Sequence, residues 1–190
     1  MKALVRPALT LFATLTVLTG VVYPLAVTGI SQLLFPHQAN GSIVTVKEKP
    51  VGSALIGQRF SSAGNFWGRP SATGPYPNNA AVSSGSNLGP LNPALTDAVK
   101  TRVATLKAAD PGNEQPVPVD LVTASGSGLD PDISLAAAYY QATRVAKTRH
   151  LPVEQVKTLI EQHAEGPWLG IFGEPRVNVL TLNIKLDGIR

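Results

Sequence analysis

From Pro7 to Phe35 the chain reads PALTLFATLTVLTGVVYPLAVTGISQLLF and carries no charge; after Arg6 the next charged residue is Lys47. About 20 apolar helical residues cross the roughly 30 Å hydrocarbon core of a bilayer, and this run is longer. It is therefore read as a transmembrane helix over residues 7–35. The competing reading is a cleavable signal peptide, whose apolar region is about 7–15 residues long and ends at a small-x-small site. Here the apolar run continues through Leu33, Leu34 and Phe35, past the poor cleavage candidate Ala26-Val27-Thr28, so an uncleaved anchor is expected.

Lys2 and Arg6 precede the helix, while the far side has no Lys or Arg before Lys47. Basic residues flanking a span stay cytoplasmic, which places residues 1–6 inside and everything after the helix outside the cytoplasm. Thr16, Gly20, Pro24 and Thr28 recur every four residues along the span. They read either as a ridge that lets another membrane helix approach closely or as the ordinary small-residue content of membrane helices.

The formal charge of +4 and pI near 9.5 would suit a nucleic-acid binder. Setting Lys2 and Arg6 aside, however, leaves 14 of the 16 basic residues against 12 acidic ones, thinly spread. No block of about five or six like charges tracks a phosphate backbone, so no nucleic-acid partner is expected. The chain has no cysteine, which removes disulfides, thiolate nucleophiles and Cys-ligated metal centres together.

Residues 36–52 read as a linker and first strand, and residues 53–190 as one α+β domain. SIVTVKEK and Ser53–Phe60 (SALIGQRF) are rich enough in β-branched and apolar residues for short strands. Residues 61–91 form a long Gly/Ser/Asn/Pro loop whose one charge is Arg69. Phe66, Trp67 and Tyr76 within it point to an ordered, partner-meeting loop rather than disorder. Asn92-Pro93 opens a helix with Leu95, Val99, Val103 and Leu106 on one face, and Asp110-Pro111-Gly112 ends it. The alternation of Val117, Val119 and Leu121 suggests a strand. A second helix is expected from about Ser134 to His150 with Leu135, Tyr139, Ala142 and Val145 or Ala146 buried. A third runs from Pro152 to Gly166 with Val153, Val156, Ile160 and His163 on one face. Within the tail at 177–186, Leu180 to Leu186 alternate like a strand, but the preceding Glu174-Pro175 favours a helix, and a helix is weakly favoured.

No catalytic set emerges. Ser125-Gly126-Ser127-Gly128 lacks the Gly-Lys-Ser/Thr ending of a phosphate loop and is read as a structural turn. His37, His150 and His163 fall in the linker, at a helix end and on an apolar helix face, and no nucleophile motif accompanies them. Asp130 and Asp132 could meet a hard cation, but the full loop pattern for calcium is missing. Glu165, Glu174 and Arg176 suit a buried Glu–Arg pair or a helix cap.

Taken in order behind one N-terminal span, the strings GSALIGQRF, FWGRPSAT, SSGSNLGPLNPAL, DLVTASGSGLDP, YYQATRVAKTR and HAEGPWLGIFGEPRVNVLTLNIKLD resemble the C subunit of the Kdp potassium-transporting ATPase, a bacterial P-type ATPase complex. The similarity runs from the anchor to about Asp187. It departs from the family pattern at Asp132 and Leu135, where His and Pro are more usual, so no role for a ring at position 132 carries over. The resemblance implies a single-pass inner-membrane subunit bound to a potassium-translocating and an ATP-hydrolysing subunit. It also implies an assembly role and that of a catalytic chaperone raising ATP affinity, with the chain itself not the ATPase. ATP and potassium would then be handled by the partners, with no cofactor or metal bound here. The candidate partner-binding residues are Thr16, Gly20, Pro24 and Thr28 on the span, and Arg69, Asn87, Asn92 and Asp130 beyond it. A periplasmic ligand-binding or enzymatic domain on a membrane anchor is the alternative.

Overall fold

The computed structural model describes residues 2–189; Met1 and Arg190, the outer limits of the expected cytoplasmic segment and domain, lie outside the described residues. The chain divides into two compact units, Met1–Ile43 and Val44–Arg190. The first is dominated by helix α1 (Lys2–Val17), a π-helical turn (Leu18–Val22) and helix α2 (Tyr23–Leu34). Together, Ala3–Leu34 are long and apolar enough to cross a membrane, with none of the span buried. The helix starts before the expected Pro7 and carries that proline inside it, at the loss of one backbone hydrogen bond to the Ala3 carbonyl.

The π turn has a local cause. Pro24 has no N–H to return to the Gly20 carbonyl, and its ring crowds that carbonyl in a regular α-helix. The Tyr23 N–H instead reaches the Leu18 carbonyl, five residues back. Thr10 and Thr19 donate their hydroxyls to the carbonyls of Arg6 and Leu15 at 3.0 and 2.7 Å, so these polar groups are satisfied within the helix. The short helix α3 (Pro36–Ala39) follows, and the amides of Gln32 and Asn40 pair reciprocally at 3.2 Å across that corner.

Beyond it, β1 (Ile43–Val46) and β2 (Lys49–Ser53) form a two-stranded hairpin. The expected strand at Ser53–Phe60 is corrected to an irregular segment: the chain turns back at Lys47 and Glu48, whose φ values are 49° and 66°. That left-handed pair is the two-residue turn usually written Asn-Gly, and Lys-Glu gives no such signal.

The domain is mixed α and β. Helix α4 (Pro93–Ala109) starts at Asn92, whose side chain accepts from the Ala94 N–H at 3.0 Å. Leu106 is its buried residue, with Val99 and Val103 packed against the core. The strand expected at Val117–Leu121 is a 3₁₀ turn (Val119–Leu121). Pro116 and Pro118 lack every second N–H that a ladder there would need. Strands β3 (Asp132–Ser134), β4 (Ala164–Glu165) and β5 (Arg176–Asn178) make an antiparallel sheet in the order β3-β5-β4, with Ile133 opposite Val177 at its centre.

Helix α5 (Leu135–Arg149) is capped by Ser134, which accepts from the Ala137 N–H at 3.1 Å, and stops at His150, φ 58°. It lies in the centre of the domain, burying Ala137, Ala138, Ala142, Val145 and Ala146. Helix α6 (Val153–Gln162) buries Val156, Leu159 and Ile160. It ends four residues short of Gly166, because His163 closes the helix with its Nδ1 3.0 Å from the Leu159 carbonyl oxygen. Helix α7 (Val179–Asp187), capped by Asn178, confirms the helix favoured for the tail and buries Leu182 and Leu186. Between β4 and β5, Trp168 and Phe172 close a tight turn, and both rings are exposed together with Leu169 and Ile171.

The Ser125–Gly128 segment is the structural turn expected. Within it Ser125 donates its N–H to Pro70 O and Gly128 to Ser125 O, and the following Leu129 donates to Ser127 Oγ. Gly128 sits at φ 68°, and a Cβ there would come within 2.6 Å of the Ser84 carbonyl oxygen. Gly128→Ala is therefore expected to cost about 2–4 kcal/mol, combining the left-handed penalty with overpacking against backbone. Urea unfolding of the detergent-solubilised chain, followed by tryptophan fluorescence, checks this.

Candidate functional site

Residues 54–92 contain no helix or strand, yet the segment is pinned from within. Phe66 is fully buried, and its N–H and carbonyl both bond the Asn183 side chain, at 2.8 and 3.0 Å. The next residue repeats the pattern: Trp67 donates its N–H to Gln141 Oε1 at 2.8 Å and accepts from Gln141 Nε2 at 3.1 Å. Two buried primary amides thus do for Phe66-Trp67 what a neighbouring strand would do, offering one donor and one acceptor per residue.

Two arginines extend the clamp. Arg144, almost fully buried, donates to the carbonyls of Ala63 and Asn65 and to Gln141 Oε1, and its guanidinium lies 4.4 Å above the Trp67 ring. Desolvation lowers its pKa to about 10, with the nearby Asp110 charge opposing the shift, so it remains a cation at neutral pH. Arg149 donates to Gly64 O at 2.5 Å and to Asn65 Oδ1 at 2.6 Å, and pairs with Asp187 at 2.6 Å. Further along, Ser71 and Thr73 hydroxyls hold the turn at Tyr76–Asn79.

Of the candidate partner-binding residues, Arg69 and Asp130 are brought together in a salt bridge of 3.0 Å, far apart in sequence but both half-buried. Asn92 is the helix cap already described. Asn87 is exposed in a left-handed conformation, φ 51°. Thr16, Gly20, Pro24 and Thr28 are all exposed along the span. Residues four apart drift by about 40° per step on an α-helix. The wider π turn between Thr16 and Pro24 opposes that drift and keeps the four closer to one face.

The acidic pair is engaged by protein groups. Asp130 is engaged by Arg69 and by the Asp132 N–H, while Asp132 pairs with Arg176 Nε at 2.9 Å and accepts from Asn178 at 3.2 Å. Burial raises the Asp132 pKa against the pull of Arg176. The expected buried Glu–Arg pair is present between Glu165 and Arg176 at 3.1 Å, but it is exposed, facing across the β4–β5 register. Among the described residues no cluster of three His, Cys, Asp or Glu could hold a metal ion.

Gln141, Arg144, Arg149 and Asn183 did not stand out in the sequence, though a signal was there. Gln141 lies three residues from Ala138 and four from Val145, and Asn183 three from both Leu180 and Leu186. Both therefore place an amide on an apolar stripe, where it is buried with a partner or not at all.

A small mixed α and β domain with an irregular loop locked by side-chain clamps, preceded by one helix long and apolar enough to cross a membrane, has the form of a domain on a single-span anchor. The comparisons name the family: the model for KdpC, the K+-transporting ATPase c chain, matches residues 5–188, and this chain belongs to that family. It is 66% identical over 190 residues to a potassium-transporting ATPase KdpC subunit of Polaromonas naphthalenivorans, covering 100% of this chain and 97% of that one. To the KdpC subunits of Janthinobacterium sp. and Herpetosiphon aurantiacus it is 64% and 60% identical, over 98% and 100% of its length and 99% and 98% of theirs.

Replacing Gln141 by Leu strands the Trp67 N–H and carbonyl, at an expected cost of about 2–4 kcal/mol. Asn183→Asp turns a donor into a second acceptor facing the Phe66 carbonyl. The new carboxyl has a folded pKa above its unfolded value, so its contribution is present at acid pH and lost as pH rises through the folded pKa. Urea midpoints are therefore expected to show Asn183→Asp less stable than Asn183→Leu at pH 7, with the gap narrowing at pH 4.

Proposed function

We propose that this KdpC-family chain, a subunit of a potassium-transporting ATPase that implies partner subunits, is the non-catalytic accessory subunit, held in the bacterial inner membrane with its N-terminus cytoplasmic and its domain periplasmic. There it assembles and stabilises the potassium-translocating and ATP-hydrolysing subunits. The observation that carries this reading is the loop at 61–91, a long irregular surface clamped by the buried Gln141, Arg144 and Asn183. Between Arg69 and Asp97 it carries no charge, and such a stretch of carbonyls and amides suits contact with the outer face of a cation-translocating partner, because it adds no fixed charge there. The exposed Trp168, Leu169, Ile171 and Phe172 favour the same reading, since contiguous apolar surface marks an interaction site.

The chaperone role, raising ATP affinity of the hydrolytic subunit, then acts through coupling along membrane helices rather than by nucleotide contact. ATP is cytoplasmic, and the internally bonded Ser125–Gly128 turn has few N–H groups to offer phosphate. Gln58 already donates to the Val51 carbonyl at 2.9 Å. Calorimetry of the full chain with ATP is expected to give no binding heat; saturable heat would favour direct nucleotide binding instead.

Gly20 provides a test of assembly. A Cβ placed there meets nothing within 4 Å in this chain, so Gly20→Leu disturbs only a neighbouring helix. Asn87→Asp keeps a residue type that tolerates the left-handed region while adding a charge to the loop. Both variants are expected to lower recovery of the three-subunit complex by about tenfold, equivalent to about 1.4 kcal/mol of interface energy. Unchanged co-purification and potassium uptake in both would sink the docking assignment.

A further inference from the structure

Arg59, Arg69 and Arg102 line one cleft of ≈330 Å³ in the domain, whose apolar wall includes Phe60, Trp67 and Leu106. The three cations are not equivalent. Arg69 is neutralised by Asp130, though its Nε is buried without an acceptor, an orphan donor in the cleft wall. Arg102 spends one nitrogen on the Val122 carbonyl at 2.8 Å, and Arg59 is exposed. Among the described residues neither Arg59 nor Arg102 has a carboxylate partner.

Partial burial lowers the Arg102 pKa, the mark of a guanidinium losing water without gaining a counter-ion. A cleft that keeps two unpaired guanidinium forks beside an aromatic wall is poised for an anion. Two unmatched positive charges favour a group carrying close to two negative ones, and a phosphate monoester is such a group at neutral pH. The volume leaves room for about ten non-hydrogen atoms, allowing a small apolar body beside the phosphate.

We propose that this cleft binds a phosphate monoester bearing a small apolar body, with the phosphate held by Arg59 and Arg102 and the body against Trp67 and Leu106. Such an ester comes either from a soluble metabolite or from a lipid head group, and the chemistry recognised is the same.

Titrating the full-length chain in non-ionic detergent with phenyl phosphate, followed by calorimetry, tests this. Saturable binding is expected. Phenol, which lacks the charge, and inorganic phosphate, which lacks the ring, are each expected to bind at least about tenfold more weakly. Arg59→Gln removes an exposed side chain with no hydrogen bond or ion pair among the described residues, so the fold is kept and a loss of about tenfold or more in affinity is expected; Arg102→Gln adds to it. Competition by phosphatidic acid in mixed micelles assigns the site to a lipid head group, and failure to compete assigns it to a soluble ester. No binding of phenyl phosphate at about 10 mM, or binding unchanged in Arg59→Gln, overturns the proposal.

Discussion

The domain depends on two amides. Gln141 and Asn183, each buried on a different helix, bond the N–H and carbonyl of consecutive residues, Trp67 and Phe66. The partners are separated by 74 and 117 residues along the chain, so each bond closes a long loop. Loop-closure entropy grows only logarithmically with length, which makes a few well-placed cross-links effective. Many small extracytoplasmic domains use disulfides for this purpose. This chain has no cysteine and assigns the task to polar side chains anchored in α5 and α7.

That choice governs the rest of the core. Satisfying loop backbone from inside requires charged and amide groups deep in the protein, and Arg144 is the clearest case. Among the described residues its cation has no carboxylate in salt-bridge contact and is held instead by two backbone carbonyls, an amide oxygen and the Trp67 face. The alanines at 137, 138, 142 and 146 fit the same plan: short side chains on α5 leave space for the longer Gln141 and Arg144 to reach the loop.

The helical half of the fold was legible because helices declare themselves locally. Asn92-Pro93, Ser134 and the apolar spacing of α4, α5 and α6 each fall within one or two turns of chain. The sheet was not, since β3, β4 and β5 are only two or three residues long and exist by pairing at a distance along the chain, as Asp132 does with Asn178 and Glu165 with Arg176. The misread strands have the same origin: apolar alternation at Val117–Leu121 met prolines, and the true hairpin turned on Lys47-Glu48. For the candidate site, Arg69 and Asp130 were individually visible as charges among neutral residues, but their 3.0 Å contact was not.

Pro24 ties the membrane helix to this picture of constraint. A proline in a span is tolerated only when the freed carbonyl finds another arrangement, and here the helix widens by one residue over Leu18–Val22. The widening does more than relieve a clash. It brings Thr16 and Gly20 towards the line of Pro24 and Thr28, converting a drifting set of small residues into a more nearly continuous face. The cost of the irregular turn is local, whereas the flat face extends over about three turns.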